Sequence, residues 1–79
     1  MSPSEIELLT WMRESSRSGE LRRIRTVSDL SLDDVASVGP VHPTTVWKWE
    51  KGERRVTSSD AALRVGKLLR KLQRDLESA

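Results

Sequence analysis

The sequence predicts an all-α fold, a small helical bundle of four or five helices. Three observations carry that expectation. Apolar residues recur at intervals of three and four in separate stretches, the period of helices with one buried face. No alternating β-branched run of useful length occurs, and Phe and Tyr, both enriched in strands, are absent. Ser, Pro and Gly stand at the ends of the periodic stretches, where helices begin and stop.

The first stretch covers about residues 4–15. Ile6, Leu9 and Met12 fall at helical spacing, with Leu8 and Trp11 on a neighbouring face. Pro3 suits a first helical turn, where its missing N–H costs nothing. Ser15-Ser16-Arg17-Ser18-Gly19 forms helix poorly and reads as a break or kink. A continuous helix over residues 4–28 stays open, because Ile6, Leu9, Leu21, Ile24 and Val27 would still share one face. The second stretch, about residues 19–27, points Leu21, Ile24 and Val27 inward and ends in a turn at Ser28-Asp29.

The third stretch has a well-marked start. Ser31 is its expected N-cap and Asp34 sits at N3, a variant of the capping box. Asp33 and Asp34 put negative charge at the positive end of the helix dipole. Leu30 and Val35 occupy the positions of a hydrophobic staple. The helix stops near Val38, with Gly39 expected as a left-handed C-cap and Pro40 unable to continue it. The fourth helix begins after His42 with Pro43 at N1, runs through Val46 and Trp49 to about Lys51, and closes at Gly52. Thr57 and Asp60 repeat the capping-box spacing ahead of a long helix to about Glu77, on which Ala62, Val65, Leu69, Leu72 and Leu76 form an apolar stripe. Gly66 inside it disfavours helix by about 1 kcal/mol relative to Ala, which points to a close helix contact.

Composition narrows the function. At 79 residues the chain is read as one domain, residues 1–79. It has no cysteine and one histidine, so thiolate and histidine-rich metal sites are excluded, and no cofactor is expected. No nucleophile–base pair can be assembled convincingly, so an enzyme is not expected. No apolar run approaches the roughly 18 residues that span a bilayer, so no membrane partner is expected. The polar, acidic start does not read as a signal peptide, and no small-molecule ligand is evident. Together these point to a cytoplasmic protein. Net charge is +2, but residues 42–71 carry eight Lys and Arg against Glu50, Glu53 and Asp60. That stretch is the candidate face for a polyanion, although an ordinary solvated face has the same composition.

The middle of the chain combines a short capped helix, a turn of about four residues and a second short helix. Ala36 supplies the small residue needed where two helices cross steeply. Val35, Val41, Val46 and Trp49 can form one apolar wedge. On the fourth helix Val46, Trp49 and Glu50 lie on one side, and Thr44 and Lys48 lie opposite, one turn apart. This is the pattern of a helix-turn-helix centred on residues 31–51. The stretch Leu30-Ser31-Leu32-Asp33-Asp34-Val35-Ala36, followed after ten residues by Trp47-Lys48-Trp49-Glu50-Lys51-Gly52, resembles the phage repressor and Cro family. Leu21-Arg22-Arg23-Ile24-Arg25 matches that family's first helix, and the resemblance covers roughly residues 20–69. It departs from the family at Leu32, where Gln is frequent, at Pro40, in the usual Gly slot, and at His42, where Ser or Thr caps are commoner.

The resemblance implies a repressor/Cro-like bundle with an extra N-terminal helix and an extended C-terminal one. It implies a sequence-specific transcriptional regulator of phage or bacterial type, whose partner is an operator in double-stranded DNA. Carried over by position, His42, Pro43, Thr44 and Lys48 face bases. Thr45, Trp47, Arg54 and Arg55 touch the DNA backbone, and Arg25 and Glu50 form a structural ion pair. Plainer readings stand beside these. His42 can simply cap its helix, Trp47 can flank the core, and Arg22 and Arg23 read as solvated helix charges. A rival function is an antitoxin or another protein-interaction module on the same fold. The leftover apolar faces at the two chain ends either pack on one another within the chain or support a homodimer.

Overall fold

The computed structural model describes residues 1–78, and five helices fill most of them. They are α1 (Pro3–Ser18), α2 (Glu20–Val27), α3 (Leu32–Val38), α4 (Pro43–Lys51) and α5 (Asp60–Ser78), with no strand among the described residues. The all-α class and the small-bundle architecture are as the sequence predicts. None of these helices is long and apolar enough to cross a membrane.

Local chemistry explains most of the boundaries. Ser2 caps α1 in a reciprocal box with Glu5, and Pro3 occupies the first turn. At α3, Ser31 Oγ accepts from Asp34 N–H at 3.0 Å, and the Asp34 carboxylate accepts from Ser31 N–H at 2.8 Å. Donation from the Ser31 backbone, then from its side chain, holds the Asp34 carboxyl below its ordinary pKa. His42 caps α4, Pro43 starts it, and Gly52 ends it at φ 72°. That left-handed conformation suits a residue without a Cβ.

Several expectations are corrected. The break expected over residues 15–19 narrows to Gly19, at φ 84°, and α1 runs unbroken to Ser18. Ser15 and Ser16 are buried there, and Ser16 Oγ donates to the Trp49 carbonyl, so the small polar side chains serve a close helix approach. Gly39 is right-handed, at φ −61°, and its peptide to Pro40 is cis. Space is what this position demands, because a Cβ on Gly39 would lie 3.1 Å from the Val41 nitrogen. Val27 is exposed, since the chain turns away at Ser28 and Asp29 and Leu30 packs on the core instead. Ser59, not Thr57, caps α5: its Oγ accepts from Ala62 N–H at 3.1 Å and its carbonyl from Leu63 N–H at 3.0 Å.

The core gathers residues from every helix, among them Met12, Leu21, Ile24, Val35, Val46, Trp49, Val65 and Leu69. Ile6, expected inward, is exposed, because the first turns of α1 reach past the core edge. Helix α1 packs against α5 within the chain. Trp11 lies under the Arg70 guanidinium, Leu8 and Met12 close on Gly66, and Arg13 reaches Val56. Leu72 and Leu76 are partly buried against the same core.

Gly66 sets how closely α1 and α5 approach. A Cβ there would overlap Met12 Sδ and lie 3.2 Å from Met12 Cγ and 3.3 Å from Leu8 Cγ. Met12 is fully buried and cannot swing away into solvent. Gly66→Leu raises helix propensity, yet it is expected to destabilise the fold by about 1–3 kcal/mol through overpacking. Urea unfolding checks this, and a variant as stable as the parent would mean that α1 does not dock here.

Candidate nucleic-acid interface

Helix α4 has two chemically distinct faces. Val46, Trp49 and Glu50 are buried, while Thr44, Trp47 and Lys51 are exposed and Lys48 is partly so. Residues 44, 47, 48 and 51 follow helical spacing and form one outer stripe. Within it the Lys51 ammonium sits 4.1 Å from the centroid of the Trp47 ring, a cation–π contact. Trp47 therefore belongs to the outer surface, not to the core flank. Lys51 was not among the residues singled out in sequence, although its offset from Trp47 and Lys48 places it on this stripe.

Turns on either side of α4 fix its position. Val41 N–H donates to the Ala36 carbonyl at 2.9 Å, and Arg64 donates to the Gly39 carbonyl at 3.3 Å. His42 Nδ1 accepts from Thr44 N–H at 3.1 Å, so the ring caps α4 and remains exposed beside Pro43. After Gly52, Arg54 donates to Thr45 Oγ1 at 3.3 Å and Arg55 is exposed. The loop cations thus adjoin the outer stripe. Leu32 packs against the core, so α3 offers no amide donor at that position.

On the inner face, Arg25 of α2 grips Glu50. Arg25 Nε and Nη2 lie 2.5 and 3.1 Å from the two carboxylate oxygens. Arg25 Nη1 also donates to the Leu30 carbonyl at 2.9 Å. The side chains are only 13% and 4% exposed, so water screens the pair little. The bond to Glu50 raises the Arg25 pKa, and burial works against it. Glu50 is thereby matched inside the fold. The cations of α4 and its following loop face outward, and of the two carboxylates between them in sequence, Glu50 is held by Arg25 and only Glu53 is exposed beside them.

The structure therefore brings His42, Pro43, Thr44 and Lys48 together along α4, with Trp47 on the same outer surface. Thr45, Arg54 and Arg55 lie at its margin, and the Arg25–Glu50 pair lies beneath. Such a surface can dock on a polyanion and can offer short hydroxyl and ammonium groups to polar edges. Comparison with family models, curated proteins and solved structures finds no match to this chain.

Removing either ion-pair partner strands the other charge. Arg25→Met or Glu50→Leu alone is expected to cost up to about 3–5 kcal/mol, and the double variant less than the sum. A double-mutant cycle by chemical denaturation decides, and strictly additive losses would show that the two groups are not coupled.

Proposed function

We propose that this chain is a sequence-specific double-stranded DNA-binding regulator of the phage or bacterial repressor and Cro type. In this reading α3 and α4 act as a helix-turn-helix and α4 enters the major groove. One observation carries it. The inner face of α4 is locked by Val46, Trp49 and the Arg25–Glu50 pair, while its outer face presents Thr44, Trp47, Lys48 and Lys51. The major groove is wide enough for an α-helix, and each base pair displays a distinct donor and acceptor pattern there. Thr44 and Lys48, one turn apart, reach base edges, with the exposed His42 and the apolar ring of Pro43 at the helix start. Trp47 and Thr45 flank these contacts against sugar and phosphate. Arg54 and Arg55 displace counterions from the backbone and hold the register.

Helix α4 works here as a rigid reader, because its roll about its own axis is set by buried contacts rather than by the ligand. Little ordering entropy is then lost on binding.

Selection of bound duplexes from a random pool at a stated salt concentration tests the reading. Thr44→Ala and Lys48→Ala are each expected to weaken binding to the selected site by about 1–3 kcal/mol and to relax its sequence preference. Arg54→Ala is expected to weaken selected and random duplexes alike and to flatten the salt slope by about one. Unchanged affinity of Lys48→Ala for the selected site would sink the assignment of α4.

A further inference from the structure

Arg13 and Arg17 stand one turn apart on α1, and Arg54 and Arg55 lie in the loop after α4. The fold brings all four to the wall of one groove of about 280 Å³ beside Gly52. We propose that this groove is a further phosphate site, in which Arg13 and Arg17 take a backbone phosphodiester of the duplex whose bases meet α4. The inference rests on the DNA-binding reading. It extends that reading to a helix outside the region that resembles the repressor family.

Charge is the first argument. No carboxylate lines the groove. The two ion pairs among the described residues, Arg23–Glu20 and Arg25–Glu50, involve none of its four arginines. Like charges gathered in one place repel, and a bound anion relieves that repulsion. The larger groove between α1 and α5 differs in this respect. It is lined by Lys67, Arg70, Lys71 and Arg74, but Glu5 and Glu7 share its wall.

Preorganisation is the second argument. Arg13 Nε donates to the Val56 carbonyl at 2.9 Å, and Arg13 is partly buried. That bond orients the guanidinium, and neither Nη group has a hydrogen-bond partner among the described residues, which leaves both for an oxyanion. A planar fork held in this way suits the oxygens of a phosphate better than a mobile ammonium does.

Continuity is the third argument, and it selects the occupant. Arg54 both lines the groove and touches Thr45 at the margin of α4. Arg17, Arg54 and Arg55 are exposed, so a polymer passing over α4 reaches them without entering a cavity. Nucleic acid supplies phosphates in an unbroken row, whereas a free phosphate compound has no reason to adjoin the outer stripe.

The test measures binding of the full chain to a short mixed-sequence duplex across a salt series. Arg17→Gln is expected to flatten the slope of log K against log salt by about one, and Arg13→Gln/Arg17→Gln by up to about two. Lys67→Gln/Lys71→Gln removes the same charge elsewhere and is expected to leave the slope unchanged. The Arg17 side chain makes no hydrogen bond among the described residues and is exposed, so its variant keeps the fold, and thermal melts verify this for all three. Parental slopes in both arginine variants, with intact duplex binding, overturn the groove alone. Equal flattening by the lysine variant also overturns it, since bulk charge then explains the loss. A parent chain that binds no duplex overturns the DNA reading and the groove together. Inorganic pyrophosphate that binds the parent but not Arg13→Gln/Arg17→Gln, with no duplex binding, reassigns the groove to a free phosphate and overturns the proposal.

Discussion

A guanidinium carries five donors in one plane, and in Arg25 three of its nitrogens hold separate obligations: two to the oxygens of Glu50 and one to the carbonyl of Leu30. That geometry ties α2, α4 and the approach to α3 to a single rigid group. The two-point grip on Glu50 fixes more than a distance. It sets the roll of α4 about its own axis, because Glu50 shares the inner face with Val46 and Trp49. The pair is costly to bury, and either charge alone would cost more still, so the two partners stand or fall together. The wedge of Val35, Val46 and Trp49 closes around it, and the outer stripe of α4 points outward as a consequence.

Helix α1 braces the same region from the other side. Ser16 donates to the carbonyl of Trp49 near the end of α4, and Arg13 donates to the carbonyl of Val56 beyond it. The loop that carries Arg54 and Arg55 is thus pinned near both ends, with Val56 fully buried. The Trp49 carbonyl, in the last turn of α4, already accepts from the Gly52 N–H at 3.2 Å, and the buried serine donates to it as well. Gly66 lets α1 come close enough for this to happen.

Local rules explain what the sequence made legible. The Ser31–Asp34 cap, the Pro43 start, the Gly52 stop and the inward Val46 and Trp49 all depend on residues within a turn or two of each other. The misreadings share a different cause. Ser15-Ser16 looks like a helix breaker until α4 supplies a partner for the Ser16 hydroxyl. Gly39 looks like a left-handed cap, but its backbone is right-handed, and it is the nearby Val41 that crowds a side chain there. Val27 keeps the period of an inward residue but stands at the last position of its helix, past the edge of the core. Arg54 and Arg55 were legible as loop cations, but Arg13 and Arg17 beside them were not, because nothing near Arg13 in sequence announces Arg54. At the outer stripe, Thr44 and Lys48 followed from spacing, and Lys51 was open to the same argument.

The cap on α4 also settles the tautomer of a side chain. His42 Nδ1 accepts from Thr44 N–H, so its lone pair is occupied and, in the neutral ring, the proton resides on Nε2. The exposed edge of this imidazole is therefore a donor and not an acceptor. Any group that approaches it productively must bring a lone pair, as a purine N7 or a phosphate oxygen does, and an amino group is refused. One ring thus links the start of α4 to the polarity of what can lie against it.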